Sequence, residues 1–510
     1  MSQKIKILPL NRVEGDLEIH LELKKDRVID AQSRGTMYRG FENIMIDRAP
    51  LDGLVITPRI CGICTTAYLN AAVKALDMLY GAKIPANAMR IRIITLLVEQ
   101  LQNDFRHSAL LFMPDFTSLA YQHHSLFDEA VLRYLPLKGS SVLAAIRETS
   151  NILEIISIFG GQWPHSSFMV PGGVVSMPGA SDRIQTTYLL KNFRKWYEQD
   201  VLGCSLERWS TIKSKEDLMV WLDEAESHQK SELGFFIRFA VEAGLDKMGG
   251  GCGNFISFGV SDLPPEISAD NDGTILPVCA SGFYHLGESH PFDQKLITED
   301  ISHSWFAGDK EHLHPFEGET IPYATGNEGR RYSWTKAPRY NGMPAETGPL
   351  AEMLITAHPL FTDLADRDGP SVFIRELARL VRAAIVIPVV ERCLEEMTKK
   401  TGGFFQDHGD MALTQGFGLI EAPRGALGHW VKIENNHIAS YQVITLTTWN
   451  ASPRDSNGVR GPWEEALVGT EVKDIDNPVE VYHIIRSFDP CQVCAVHAIE
   501  MEKRHCFITI

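Results

Sequence analysis

The chain has 510 residues, 44% of them hydrophobic, enough to fill a large core, and its net charge of −16 leaves no basic stripe to displace the counterions of a nucleic acid. Nine cysteines, an odd number scattered over that length, do not read as a disulfide framework. The opening Met1-Ser2-Gln3-Lys4-Ile5-Lys6 lacks the apolar core of a secretory signal, and the longest strongly apolar stretch, residues 383–390, is far too short to span a bilayer. The expectation is a soluble chain with no export address of its own.

From residue 4 to 30 apolar and polar residues alternate, as in Leu17-Glu18-Ile19-His20-Leu21-Glu22-Leu23, which predicts half-buried strands and a small sheet within a β-rich segment of about 1–60. Residues 65–80 carry Leu69, Ala72, Val73, Leu76 and Leu79 at helical spacing, with Thr65 or Thr66 as N-cap and Gly81 as stop. Cys64 then lies close to a helix N-terminus, which lowers a thiol's pKa. Further helices are expected over 88–112, 142–159, 182–199, 214–225 and 371–400, giving a helical core of about 64–248 and 350–400. Pro388 should kink or interrupt the last of them. Glycines, prolines and histidines thicken between 249 and 349, which reads as strands and loops on the surface, and strand-like residues return over 428–448 within a C-terminal segment of 411–497. No repeat or flexible linker divides the chain, and neither a dinucleotide fingerprint nor a Walker A loop occurs. A single α+β unit follows, mainly helical, with a central helix bundle and small peripheral β-sheets.

Two C-x-x-C units stand at opposite ends: Arg59-Ile60-Cys61-Gly62-Ile63-Cys64, and Asp489-Pro490-Cys491-Gln492-Val493-Cys494-Ala495-Val496-His497. Four thiolates around one centre favour zinc, iron or nickel over calcium or magnesium. Zinc ribbons also use two such pairs, but usually about 15 to 20 residues apart. Here most of the chain intervenes, and a protein with ample core has little need of a zinc staple. Spacing alone leaves zinc open. Cys204, Cys252, Cys279, Cys393 and Cys506 lack comparable spacing and read as small apolar residues.

The flanks R-x-C-G-x-C and D-P-C-x-x-C-x-x-H resemble the large, catalytic subunit of nickel-iron hydrogenases. Ordered matches continue through Asn11-Arg12-Val13-Glu14-Gly15-Asp16, Arg39-Gly40-Phe41-Glu42, Gly160-Gly161-Gln162-Trp163-Pro164-His165, Pro171-Gly172-Gly173-Val174, Ala422-Pro423-Arg424-Gly425-Ala426-Leu427-Gly428-His429-Trp430, Thr448-Trp449-Asn450, Pro453-Arg454-Asp455 and Gly461-Pro462. The first and third of these look most like the uptake group of cyanobacteria and related aerobic bacteria. The resemblance implies the nickel-iron hydrogenase large-subunit fold, as a single catalytic domain over 1–497.

It also implies roles. Cys61 and Cys491 would bind nickel terminally, and Cys64 and Cys494 would bridge nickel to an iron carrying carbon monoxide and cyanide. Arg424, beside Pro423, would overhang the metals, and Thr447 would offer a hydroxyl to cyanide. Glu14 would gate protons at Cys491; the plainer reading pairs it with Arg12. Glu42, His497 and a backbone carbonyl near Val443 would hold magnesium or a similar cation, although histidine is an unusual magnesium ligand. Asp489 would face the outer shell of iron or, more simply, shape the turn before Pro490. Two departures stand out. Tyr68 occupies a place where the family often has histidine, and the histidine-rich second motif is reduced to Asn103-Asp104-Phe105-Arg106-His107. Asp104 there reads as part of an exposed helix face, with the outer shell as the alternative.

The activity so implied is heterolytic oxidation of H2, with electrons passing to an iron-sulfur small subunit and then to quinone or a similar acceptor, in a heterodimer or a dimer of heterodimers. Nickel-insertion factors would load the site, and a maturation endopeptidase would remove residues 498–510, leaving His497 at the end; the alternative is an ordered tail on a nickel-free protein. Cytoplasmic residence is expected, with membrane association through partners. The alternatives are a regulatory hydrogen sensor, a metal-free quinone-site subunit of the complex I type, which retention of all four cysteines opposes, and a structural zinc protein.

Overall fold

The computed structural model describes residues 4–13, 15–260, 264, 280–308, 312–326, 328–399 and 402–491. The alternating start folds as expected: β1 (Lys4–Pro9), β2 (Leu17–Lys24) and β3 (Arg27–Gly35) make an antiparallel meander in that order. Leu17, Ile19, Leu21 and Leu23 are buried on one face of β2, as a period of two requires.

The helical body comprises α1 (Thr65–Tyr80), α2 (Ala86–Arg106), α3 (Ser140–Gly160), α4 (Ala180–Trp196), α5 (Glu232–Glu242) and α6 (Val372–Lys399). The helix expected over 214–225 is present as Lys215–Glu224. Gly81 ends α1 in the left-handed region, at φ 59°. α2 packs against α1, α3 and α6 and is buried along nearly its whole length, including Arg90, Arg92, Glu99, Gln100, Asn103 and Asp104. Polar side chains so placed must find partners inside the protein. Both α2 and α4 run on into π-helical turns, His107–Phe112 and Tyr197–Leu202, so the expected ends near 112 and 199 fall where the winding changes.

Pro388 does not interrupt α6. Proline removes the donor that the carbonyl four residues earlier would have used. Nearby, the Tyr197 hydroxyl donates to Leu380 O of the same helix at 3.2 Å. Among the described residues no helix is long and apolar enough to cross a membrane.

The segment 249–349 corrects the reading of it as surface. It forms the strands β4 (Phe255–Ser257), β5 (Gly282–His285), β6 (Glu288–His290), β7 (Ile297–Asp300) and β8 (Ala337–Tyr340), and Ser257, Ile297, Asp300, Ser304, Ser333, Thr335 and Arg339 are buried. Buried polar pairs stand here beside a small apolar cluster that includes Ile256, Phe258, Phe283, Ile297 and Tyr340. Arg339, for example, meets Asp455 at 2.8 Å and donates to the carbonyls of Pro338, Pro453 and Val459. Hydrophobic periodicity does not report such a core.

A further three-stranded sheet, β9 (Gln415–Ala422), β10 (Gly425–Glu434) and β11 (His437–Ile444), lies with β9 on α1. The approach is close because β9 presents glycine: a Cβ on Gly418 would stand 1.9 Å from Ala71 O, and one on Gly416 2.5 Å from Ala75 O. This contact fixes the turn at Pro423 relative to the cysteines before α1. Gly418→Ala is therefore expected to destabilise the chain by about 2 kcal/mol or more, since the obstacle is helix backbone that cannot rotate away. An unchanged denaturation midpoint in urea would contradict the packing.

Candidate metal centre

Cys64 is the N-cap of α1, so its sulfur sits at the positive end of the helix dipole. The sequence expectation of a Thr65 or Thr66 cap is corrected: Glu99 of α2 accepts from the backbone N–H of Thr66 at 2.9 Å and of Ala67 at 3.0 Å, and from Trp163 Nε1 at 3.1 Å. A carboxyl from a neighbouring helix thus closes the start of α1. Burial raises its pKa to about 7, against the lowering effect of these donors.

At the other end of the chain, α7 (Val479–Ser487) delivers Asp489 and Cys491. Asp489 adopts a left-handed backbone, at φ 56°, and its carboxylate is gripped from several sides. Arg424 Nε approaches Oδ1 at 2.7 Å, Asn103 Nδ2 donates to Oδ2 at 2.7 Å, His107 Nδ1 lies 3.0 Å from Oδ1, and Arg379 Nε lies 3.8 Å from Oδ2. Burial would push this carboxyl up, but Arg424, His107 and Arg379 outweigh it and hold the group well below the usual range. Asp489 is therefore an anchored anion, and more than a turn residue.

The two chain ends meet. Cys61 Sγ lies 3.6 Å from Cys491 Sγ, and Arg424 Nη1 donates to Cys64 Sγ at 2.9 Å; all three sulfurs are buried. Burial works against charge on Arg424, but Asp489 and the three cysteines push its pKa well above the ordinary value. Thr447 Oγ1 accepts from Cys491 N–H at 3.2 Å, which ties that residue to the same loop. The Pro423 carbonyl accepts from Arg382 of α6. Cys494, Glu14 and His497 lie outside the described residues. Among the described residues no three such side chains close into a single-metal cage. The donor set nonetheless fits a soft redox metal: converging sulfurs in a dry pocket beside a fixed guanidinium.

Glu42 is buried in a second cluster. Its Oε1 accepts from Val443 N–H at 2.9 Å, its Oε2 takes a contact from Thr320 Oγ1, and Lys336 Nζ stands 3.2 Å from Glu42 Oε2 and 3.4 Å from Glu299 Oε2. Burial lifts the Glu299 carboxyl to about 7 even beside Lys336. Among the described residues Glu299 Oε1 is buried without a hydrogen-bond partner, and Glu299 lines, with Glu42 and Val443, a cavity of about 10 Å³. An orphaned carboxylate oxygen in an oxygen-rich cluster fits a hard cation.

Three further outcomes bear on the sequence reading. Asp104 is not on an exposed face: Arg382 Nε and Nη2 hold its two oxygens at 2.9 and 2.7 Å in full burial, because the face of α2 that carries it packs against α6. Arg12 turns its guanidinium to Asp115, which Arg486 also contacts. Tyr68 is buried with its ring 5.8 Å from that of His429. Asn103, His107, Arg379 and Arg382 were missed as site residues. Their signal was spacing: 103 and 107 share one face of a helix, and Arg375, Arg379 and Arg382 form a cationic stripe on an otherwise apolar one.

A sequence profile of the nickel-dependent hydrogenase family matches residues 39–125 and 237–497. The chain is 33% identical to the periplasmic [NiFeSe] hydrogenase large subunit of Desulfomicrobium baculatum, over 98% of this chain and 96% of that protein. It is 28% identical to the uptake hydrogenase large subunit of Bradyrhizobium diazoefficiens, over 98% and 95%. Among solved structures, H2-activated [NiFeSe]-hydrogenase of D. baculatum matches with a TM-score of 0.79 at 30% identity, covering 97% of this chain and 100% of that one. The reduced Ni-Fe-Se hydrogenase of D. vulgaris Hildenborough gives 0.78 at 29% identity, over 97% and 100%. Those names denote selenium, whereas residues 61, 64, 491 and 494 here are all cysteine.

Glu99 sets a pH dependence with a definite sign. Its folded pKa of about 7 lies above the ordinary 4.5, so the folded state binds the extra proton between these values and stability falls as pH rises through that window. The full effect is up to about 3 kcal/mol. Glu99→Gln should flatten the decline in denaturant midpoint between those pH values; a slope equal to the parent's would mean that the buried carboxyl does not titrate there.

Proposed function

Because this chain belongs to the nickel-dependent hydrogenase family, we propose that it is the catalytic large subunit of an uptake hydrogenase, oxidising H2 to protons and electrons that leave through an iron-sulfur small subunit towards quinone or a similar acceptor. The observation that carries this reading is the approach of Cys61 to Cys491 at 3.6 Å, with Arg424 on Cys64, across nearly the whole length of the chain. Its direction rests on likeness to relatives named as uptake enzymes. Residence is proposed as cytoplasmic, with membrane contact through partners, although the D. baculatum relative is named periplasmic.

Dihydrogen is apolar and weakly acidic, so side chains alone neither polarise nor oxidise it. A nickel-iron pair held by Cys61, Cys64, Cys491 and Cys494, with carbon monoxide and cyanide on iron, supplies when bound the electrophile and the two-electron capacity that the residues lack. The protein's part is electrostatic and positional. Arg424 is clamped by Asp489 before any substrate arrives, so its N–H groups need no reorganisation during turnover. Pro423, next to Arg424, has its carbonyl fixed by Arg382, which holds the turn for the cofactor, and Thr447 accepts from Cys491 N–H and so can offer its hydroxyl hydrogen to a diatomic ligand. Glu14 takes the proton from Cys491 and passes it outward; the engagement of Arg12 with Asp115 supports this over a plain Glu14–Arg12 pair. Glu42, the Val443 carbonyl and His497 hold magnesium or a similar cation, and an endopeptidase removes 498–510 after nickel loading.

The purified complex should contain one nickel per large subunit, with iron in excess of nickel because the small subunit's clusters carry iron as well, show infrared bands in the region of metal-bound carbon monoxide and cyanide, and give a large-subunit mass ending at His497. Cys491→Ser should lose the nickel. Zinc in place of nickel, with no such bands, would sink the proposal. Separately, Glu14→Gln should lower H2 oxidation and hydrogen-deuterium exchange about 100-fold or more while leaving the infrared bands in place; parent-level exchange would remove Glu14 from the proton path.

A further inference from the structure

Behind the turn that carries Pro423 and Arg424, three buried carboxyls face one guanidinium. Arg382 of α6 holds both oxygens of Asp104 and, through Nη1 at 2.6 Å, Glu352 Oε1 from the helix Pro349–Ile355. Glu421, at the end of β9, is the third: its Oε2 accepts from Ser257 Oγ and from Phe258 N–H, each at 2.9 Å. All three acids are 1% exposed or less. Arg379 also acts on Asp104, but Glu376 and the Ser487 carbonyl already engage it. One positive charge therefore stands against as many as three negative ones in a dry interior. Like charges so placed cannot all remain ionised.

Two oxygens of this cluster have no hydrogen-bond partner among the described residues, Glu352 Oε2 and Glu421 Oε1. Each is the second oxygen of a carboxyl whose first is satisfied, and a buried acceptor left unpaired costs its full desolvation. The two groups feel one another. After burial, Glu352 is the strongest influence on the Glu421 carboxyl and drives it further up, well above the usual carboxylate range, with Phe258 N–H, Ser257 and Arg382 opposing. Burial also raises Glu352, but there Arg382 favours the anion.

We propose that Glu421 and Glu352 share one proton, carried on Glu421 Oε1 and donated to Glu352 Oε2. A single hydrogen satisfies both orphaned oxygens, leaves Glu352 its negative charge for Arg382, and reduces the cluster to two carboxylates around one guanidinium. The pair is a positioning device. Arg382 also donates to the Pro423 carbonyl, two residues beyond Glu421 and next to Arg424. An ionised Glu421 would draw the guanidinium towards itself and off that carbonyl, so the held proton keeps the turn in register. Gln100 of α2 fixes the same strand end, its Nε2 donating to Glu421 O at 3.0 Å. The positioning role rests on the nickel-iron reading of the cysteine pocket; the shared proton does not.

The test is infrared spectroscopy of the purified complex at about pH 9, well above the value of about 7 to which burial raises Glu99, Asp104, Glu299 and Glu464. The parent spectrum minus that of Glu421→Gln should show a carboxylic-acid carbonyl band that moves down in deuterium oxide. Glu352→Gln should shift or abolish the same band, because the acceptor becomes an amide. Glutamine at 421 keeps a donor for Glu352, so the metal-bound carbon monoxide and cyanide bands should match the parent's, whereas Glu421→Ala, which removes the donor, should displace them; Glu421→Met carries the same expectation if the alanine variant folds poorly. No acid band lost in Glu421→Gln, or an unaltered band in Glu352→Gln, would overturn the shared proton. Parent-like diatomic bands in the variants without a donor would overturn the positioning role. Absence of those bands from the parent itself would sink the nickel-iron reading and the positioning role together, while the acid band still decides the proton.

Discussion

The clamp of Asp489 on Arg424 holds the centre of this protein together. One carboxylate, reached from the last helix, fixes a guanidinium that stands at the turn between β9 and β10, and that guanidinium in turn reaches the sulfur at the start of α1. Three segments remote in sequence are thereby registered to one another. Buried charges are expensive unless every partner is supplied, and the cost of leaving one unpaired exceeds what the pair gains. Asn103, His107 and Arg379 supply the remaining partners of Asp489, so the clamp is rigid.

Rigidity at that point depends on the two long helices behind it. α2 contributes Asn103 and Asp104, the π-helical turn after it contributes His107, and α6 contributes Arg379 and Arg382; Asp104 and Arg382 pair directly between the two helices inside an otherwise apolar core. Arg382 bridges Asp104, Glu352 and the Pro423 carbonyl, and Arg375 meets Glu346 at 2.6 Å, so these pairs also hold the segments before α6 and the turn after β9. A fixed, water-excluding shell of this kind is what an electrostatic catalyst requires, because its dipoles are already aimed when charge develops. The oxygen-rich cluster around Glu42 and Lys336 ties the β11 end of the β9–β11 sheet to the buried loop segment in the same manner.

Elements with a regular period were legible before any coordinates. The alternation of β2, the stripe of α1 with its Gly81 stop, and the main helices follow from burial of one face, which sequence displays directly. What failed to show was burial enforced by polar partners. Asp104 looks like a solvated carboxylate because only its tertiary neighbour Arg382 makes it otherwise, and the 249–349 segment looks like surface because its short strands bury Arg339, Asp300, Ser304 and Thr335 alongside Ile256, Phe258, Phe283 and Ile297, with no long apolar period. Pro388 lies inside α6 without ending it, since the helix continues to Lys399.

By itself, then, the sequence determined the chemistry on offer: paired thiols at both ends, an arginine in a tight turn, carboxyls at 14, 42 and 489, and helices to carry them. These are properties of residue type and short-range spacing. Only the tertiary structure decided that Cys61 meets Cys491, that Asp489 faces Arg424 and that Glu99 closes the start of α1, because each of these contacts joins groups whose separation along the chain carries no period. Desolvation is a property of the assembled fold, and it is desolvation that turns these side chains into a site.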